Sequence, residues 1–166
     1  DGSLDLSQEL TKEKDIEVVP FYVSFDSETY QKEMVEVGVR EFYQEMVDHP
    51  TVFPKTSMPS VHDYYEVFEK HAKEQLPVIC ICITRKFSGS LQSATTAKDM
   101  ILEEYPDAQI TVIDSTVNTV LQGLYVLEAC RLRDMGLEYQ QIVDALLPIR
   151  ETVSYTHLTL PTKLEV

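Results

Sequence analysis

The sequence predicts an α/β fold in which helices flank a mostly parallel sheet. Val78–Ile83 is a short, continuous apolar run, as expected for a central strand covered on both faces. A second strand pattern, Gln109–Ile113, follows a helical stretch, and further helical patterns lie before and after the two strands. Alternation of strands with helices is typical of parallel α/β sheets.

The first part of the chain already alternates in this way. Leu6–Lys14 predicts a short helix, and Asp15–Phe25, rich in Val, Phe and Tyr, predicts a strand. Pro20 places that strand at an edge or at an irregular position. Apolar residues at helical spacing predict a helix over Val35–Val47, and the proline-rich segment 49–60 predicts a loop.

The second part is mainly helical around its two strands. Ser60 is a typical N-cap for a helix over Ser60–Gln75. Ser90–Tyr105 predicts the helix between the two strands. Asn118–Met135 and Leu137–Arg150 predict two more helices, separated at Gly136.

Composition excludes several classes of partner. The chain has 166 residues, a length typical of one domain, and a net charge of −14. Such acidity argues against nucleic acid and against anionic membranes, and no apolar run is long enough for stable membrane insertion. Cys80, Cys82 and Cys130 lack the pattern of a zinc site, so we expect buried free thiols and a cytoplasmic location.

The C-terminal segment does not fit this pattern. Val153–Thr162 resembles the translation of a transposase adapter used to build sequencing libraries. We therefore expect a domain over residues 1–152 and a non-native tail over residues 153–166, with a genuine C-terminal strand as the alternative.

Three polar groups are candidates for a binding site. Ligands of open α/β sheets bind beyond the carboxyl ends of the strands. Two of the groups come after predicted strands. The third lies in a loop, and the sequence alone does not show where that loop lies relative to the sheet. The groups are Ser88-Gly89-Ser90, Asp114-Ser115 and Lys55-Thr56-Ser57.

The Ser-Gly-Ser group has the chemistry of an anion site. A helix that begins there presents unpaired N–H groups, Gly89 lets the backbone approach a ligand, and Ser88 and Ser90 can donate hydrogen bonds. The alternative is plain helix capping by Ser88 or Ser90. Asp114 could bind a metal, but no companion ligand has the expected spacing, which favours a structural role.

The sequence lacks the usual signatures of catalysis. Ser88 is not preceded by the glycine of the G-x-S-x-G elbow, and no histidine carries the signature of a triad. The chain also has no Walker A loop and no G-x-G-x-x-G fingerprint. We therefore expect neither a catalytic residue nor a cofactor or metal.

Several motifs, taken in order, resemble the DegV family of bacterial fatty-acid-binding proteins. The segments "PKTSMPS", "ITRKFSGSLQSATTAKDM" and "VIDS" are similar to family motifs, as is the opening "DGSLDLSQEL". This resemblance covers about residues 1–152. It implies the N-terminal domain of that family, lacking its first strand and the second domain.

The resemblance also implies a function and a set of residues. The family binds a long-chain fatty acid in an apolar tunnel between two domains and presents its carboxylate to an ATP-dependent kinase, which forms an acyl phosphate. The chain would then be a non-catalytic lipid-binding subunit. The residues expected to bind the carboxylate are Thr56, Ser57, Ser88, Gly89 and Ser90. Those expected at the pocket edge are Asp1, Ser3, Asp114 and Ser115. The alternatives are a serine-dependent hydrolase that uses Ser88 and a small-molecule sensor on the same fold.

Overall fold

A computed structural model of the chain describes residues 1–152, so the expected non-native tail lies outside the described residues. The α/β class is confirmed. The helices of the described part are α1 (Gln8–Glu13), α2 (Val39–Asp48), α3 (Val61–Lys73), α4 (Ser90–Glu104), α5 (Thr119–Asp134) and α6 (Tyr139–Thr152), and a 3₁₀ turn covers Gly2–Leu4. The strands are β1 (Tyr22–Ser24), β2 (Gln31–Lys32), β3 (Lys55–Ser57), β4 (Val78–Cys82) and β5 (Ile110–Asp114).

A parallel pair of strands, β4 and β5, lies at the centre of the fold. Val78 lies opposite Ile110, and Cys82 lies opposite Asp114. One face packs against α3 and α4, and the other packs against α5 and α6. The first core contains Tyr64, Phe68, Cys80, Cys82, Ala94, Ala97, Ile101 and Ile110. The second contains Ile81, Ile113, Tyr125, Val126, Cys130, Ile142 and Leu146. The continuous apolar run of β4 is explained, because its side chains alternate between two covered faces.

A second, antiparallel sheet joins three short strands in the order β2–β1–β3. Tyr22 of β1 lies opposite Lys32 of β2 on one side and opposite Ser57 of β3 on the other. The sequence predicts a loop where β3 forms. Its three residues form a strand because they pair with β1, which is far away in sequence. A local sequence pattern cannot reveal such a pairing.

Two elements are shorter than the sequence predicts. The strand expected over Asp15–Phe25 is reduced to β1: Pro20 has no N–H to donate, and the carbonyl of Val19 accepts instead from Gly2 N at 2.8 Å. The helix expected over Val35–Val47 begins at Val39, because a tight turn closed by Met34 N and the carbonyl of Val37 precedes it.

Helix α2 differs from the other long helices because it buries none of its residues. Val39, Tyr43 and Val47 lie on one stripe and are exposed. Among residues 1–152, only Phe42 of this helix makes a ring contact with the rest of the fold, at 5.3 Å between its centroid and that of Phe25. Within residues 1–152, no helix combines the length and the apolar character that crossing a bilayer would demand.

Candidate functional site

The segments that follow β4 and β5 lie side by side. Ser115 N donates to the carbonyl of Cys82 at 3.0 Å, and Thr84 N donates to the carbonyl of Val117 at 3.0 Å. The two polar groups expected beyond the strands therefore share one edge of the parallel pair, as the general rule for α/β sheets predicts.

Asp1 is the centre of a buried polar network beneath this edge. Its Oδ2 accepts from Ile83 N at 2.9 Å and from Ser90 Oγ at 2.6 Å. Its Oδ1 accepts from Gln122 Nε2 at 2.7 Å and from Ser3 Oγ at 2.8 Å. The carboxylate thus links the end of β4 to the first residues of α4 and to α5. In this structure Asp1 supports the edge from within, and Ser3 shares that network.

Ser90 lies behind the Ser-Gly turn, with none of its surface exposed. Its single hydroxyl proton goes to Asp1, so the Tyr64 hydroxyl, 2.5 Å away, donates to Ser90 Oγ. Burial raises the pKa of Tyr64 well above its usual range, which keeps this phenol a donor. Both hydrogen-bonding roles of Ser90 are therefore filled from inside the protein.

Ser88 and Gly89 form the outward side of the turn. Ser88 is half-buried, and its Oγ accepts from Ser90 N at 3.1 Å. No group of residues 1–152 accepts the hydroxyl proton of Ser88, so that proton can be donated to a ligand while the oxygen still caps α4. Gly89 is exposed and occupies the N-cap position without a side-chain hydrogen bond.

Thr56 and Ser57 lie on β3, where every residue is exposed. Ser57 lies opposite Tyr22, and Thr56 lies opposite Val23. Because successive side chains of a strand point to opposite faces, the two hydroxyls face opposite sides of the antiparallel sheet. A small anion can therefore meet only one of them directly unless the chain turns between them.

Met58 brings β3 to the Ser-Gly turn. A Cβ added to Gly89 would lie 2.7 Å from the Met58 sulfur and 3.1 Å from its terminal methyl. The end of the Met58 side chain therefore lies against Gly89, and the segments that carry Thr56 and Ser88 are neighbours. Sequence spacing alone does not give this proximity.

Positive charges lie on both segments, in a chain that is strongly acidic as a whole. Lys55 begins β3, and Arg85 and Lys86 precede Ser88; all three side chains are exposed. Arg85 Nε lies 3.7 Å from Asp114 Oδ2. These cations favour an anion at the edge where the two segments meet.

Asp114 and Ser115 stabilise the turn after β5. Asp114 Oδ1 accepts from Thr116 N at 2.8 Å, and the buried Ser115 hydroxyl donates to the carbonyl of Val117 at 3.0 Å. This agrees with the structural role that spacing favours for Asp114. No group of side chains suited to a metal ion occurs within the described part of the chain.

The three cysteines are free and buried, as expected. Cys80 and Cys82 have their sulfur atoms 3.7 Å apart on one face of β4, behind Ser90. The hydrogen bond from Cys80 lowers the pKa of Cys82 to about 7, and the same interaction raises that of Cys80. Neither thiol reaches the outer side of the turn.

Sequence reasoning missed three contributors to this site. Tyr64 is recognisable only as an apolar position of α3, and Gln122 is one polar residue within a long helical pattern. Asp63, which binds Tyr22 of β1, reads as an ordinary first-turn acid. Each acts through a partner at least 26 residues away along the chain, so no local signal could have identified them.

Comparisons with known proteins identify one family that the chain matches. A family model described as "Uncharacterised protein, DegV family" matches residues 1–162. A DegV domain-containing protein of Clostridium acetobutylicum is 32% identical over 160 residues, covering 96% of this chain and 54% of the relative. The chain thus spans about half the length of the curated relatives it matches.

Two solved structures are similar. A stearic-acid-binding protein from Eubacterium ventriosum shares 46% identity with a TM-score of 0.83, over 87% of this chain and 50% of that one. A fatty-acid-binding DegV family protein from Thermus thermophilus shares 29% identity with a TM-score of 0.75, over 90% of this chain and 51% of that one.

Proposed function

The chain belongs to the DegV family, and from that premise we propose that it forms the carboxylate-binding half of a fatty-acid-binding protein. In this proposal the head group of a long-chain fatty acid lies where β3 meets the Ser-Gly turn. Ser88 donates its hydroxyl proton, Thr56 or Ser57 donates from the other side, and Gly89 lets the carboxylate approach the backbone.

One observation carries the proposal: the contact between Met58 and Gly89, which makes the two polar segments neighbours. Neither segment suffices alone, because β3 presents its hydroxyls on opposite faces and Ser90 is occupied by Asp1 and Tyr64. Together they offer a small anion donors from two directions, with exposed cations nearby. A fatty-acid carboxylate fits this chemistry, and related proteins are described as binding stearic acid and other fatty acids.

Exposed apolar side chains next to the donors suit the acyl chain. Met58 is 43% exposed and Phe87, which precedes Ser88, is 59% exposed. Each methylene that such surfaces remove from water contributes about 0.8 kcal/mol, so the acyl chain supplies most of the affinity. We propose that two parts form the rest of the acyl-binding tunnel. One is the exposed stripe of α2, and the other corresponds to the half of the related proteins that this chain does not match.

The bound carboxylate faces outward in this proposal, which leaves it available to a second protein. We propose that this protein is an ATP-dependent kinase of the cytoplasm that converts the carboxylate to an acyl phosphate. The chain itself then acts as a carrier and holds no catalytic group.

The surroundings of Ser88 support a carrier over a serine hydrolase. The histidines of the described residues pair with glutamates elsewhere: His49 with Glu45, His62 with Glu66, and His71 with Glu17. None of these ion pairs involves Ser88, whose hydroxyl makes a hydrogen bond only with Ser90 N within residues 1–152. A nucleophilic serine needs a base within hydrogen-bond reach.

Native mass spectrometry of the complete gene product, purified from bacteria, tests the proposal. We expect a co-purifying long-chain fatty acid that free oleate displaces at one-to-one stoichiometry. A protein that carries no fatty acid and does not take up added oleate would contradict the proposal. A fluorophosphonate probe separates the alternative, since a hydrolase would be labelled at Ser88 and a carrier would not.

A further inference from the structure

Asp63 joins α3 to the antiparallel sheet through both of its carboxylate oxygens. Oδ1 accepts from the Tyr22 hydroxyl at 2.7 Å and lies 3.2 Å from Lys32 Nζ. Oδ2 accepts from Ser60 N at 2.8 Å and from Ser60 Oγ at 2.6 Å. The side chain is only 7% exposed, so these contacts are shielded from water.

The two strand residues that Asp63 contacts belong to one cross-strand row. Lys32, Tyr22 and Ser57 lie opposite one another on β2, β1 and β3. Lys32 Nζ also lies 5.8 Å from the centre of the Tyr22 ring. Asp63 thus contacts Tyr22 in the middle of the row and Lys32 at one end, while Ser57 lies at the other end.

The segment between β3 and α3 is very short. Only Met58 and Pro59 separate Ser57 from Ser60, and Pro59 is buried. Ser60 begins α3 through a reciprocal capping box with Asp63. One carboxylate therefore contacts both anchors of the segment that presents Thr56, Ser57 and Met58.

We propose that Asp63 is the positioning residue of the head-group site: through Tyr22 and Ser60 it fixes the Thr56–Met58 segment against the Ser-Gly turn. This inference rests on the proposed function, which supplies the ligand that the positioned segment meets. Asp63 itself does not touch that ligand.

The electrostatics of this link favour a permanent charge at neutral pH. Burial opposes ionisation, but hydrogen bonds from Ser60 and Tyr22 and the nearby Lys32 ammonium outweigh it and lower the pKa of Asp63 to about 2. Hydrogen bonds to an ionised acceptor are shorter and stronger than those between neutral groups.

A helix-capping role alone would explain the Ser60 contacts but not those to Tyr22 and Lys32. Tyr22→Phe separates the two roles, because it removes the link to β1 and leaves the capping box intact. Tyr65→Phe is the matched control: Tyr65 is also on α3 and donates to a carboxylate, Glu104 Oε1 at 3.0 Å, through a hydrogen bond that is exposed to solvent.

The test combines hydrogen exchange of residues 55–58 with oleate calorimetry, both on the complete gene product. We expect Tyr22→Phe and Asp63→Asn to speed exchange in this segment. We also expect them to weaken oleate binding by about tenfold, because the loosened segment no longer holds its hydroxyl in place to hydrogen-bond the charged carboxylate. Tyr65→Phe should change neither quantity.

The outcomes distinguish this inference from the proposed function. Unchanged exchange in both variants would overturn the positioning role, and so would faster exchange with unchanged oleate affinity. If the wild type binds no oleate but both variants still loosen residues 55–58, the proposed function fails while the link from Asp63 to β3 stands.

Discussion

The two segments that meet at the candidate site are supported in different ways. The Ser88–Ser90 turn rests on the buried network of Asp1, Tyr64 and Gln122, and Ser90 itself is wholly buried. The Lys55–Ser57 strand is exposed throughout and is held by its pairing with β1 and by the link from Asp63.

This difference separates two tasks within one site. The turn is anchored in the core through Ser90, so we expect its donors to keep their place whether or not a ligand is present. The strand lies at a sheet edge and contacts the turn through Met58, a flexible side chain, so it can adjust to the ligand. Substitutions beneath the turn should therefore reduce stability, while substitutions on the strand should reduce binding.

The largest effect on stability is expected at Gly123. A Cβ there would lie 2.3 Å from the backbone oxygen of Leu4, in the 3₁₀ turn that follows Asp1. Gly123→Ala gains helix propensity of about 1 kcal/mol, but the displaced backbone outweighs this, and we expect a net loss of about 3 kcal/mol. Native-state hydrogen exchange of β4 in the complete gene product measures this loss.

Gly89→Ala is the matched control for that substitution. Its Cβ would meet the end of the Met58 side chain, which can move away, so we expect a loss below about 1 kcal/mol. If the two variants lost the same free energy of unfolding, the turn would be no more rigid than the strand that contacts it through Met58.

Ser90→Ala should have the next largest effect. It leaves the Tyr64 hydroxyl without its acceptor and removes one donor from Asp1, and a buried unsatisfied polar group costs about 2 kcal/mol. Ser57→Ala, at an exposed position of β3, should change the free energy of unfolding by less than about 0.5 kcal/mol. A Ser90→Ala protein as stable as the wild type would show that the network does not support the turn.

On the strand side of the site, stability should depend on pH through Asp63. The pKa of Asp63 falls from 3.8 to about 2 on folding, so its ionised form stabilises the fold above pH 4 and this contribution is lost as the pH falls towards 2. The shift corresponds to roughly 2 kcal/mol. Asp63→Asn should be less stable than the wild type by that amount at pH 7, and urea titrations should show the gap closing below pH 4. If the difference in free energy of unfolding between the two proteins stayed the same at pH 3, the variant would be destabilised through packing and not through the lost charge.

Local patterns predicted the part of the fold that depends on local physics. The apolar run of β4 and the capping serine of α3 were placed within one or two residues of their observed positions. The Ser88–Ser90 group is a candidate on local grounds, because a Gly flanked by Ser at a strand-to-helix turn has the chemistry of an anion site. Thr56 and Ser57 are assigned to the carboxylate only through the resemblance to the family.

Contacts between residues that are far apart in sequence could not be predicted. Asp1 and Gln122 are 121 positions apart, and neither carries a signal that points to the other. The same holds for β3, whose three residues form a strand only because β1 lies beside them. The face on which each hydroxyl lies follows from that pairing, so it could not be assigned from spacing.

Oleate calorimetry on the complete gene product shows whether β3 and the Ser-Gly turn bind one carboxylate together. We predict that Thr56→Ala combined with Ser88→Ala lowers oleate affinity about tenfold if Ser57 is the strand donor and towards a thousandfold if Thr56 is, since each lost hydrogen bond to a charged acceptor costs about 1.5–3 kcal/mol. Thr51→Ala, another exposed threonine near β3, should bind as the wild type does. If the double variant bound oleate as tightly as the wild type, the head group would lie elsewhere and the account would be wrong.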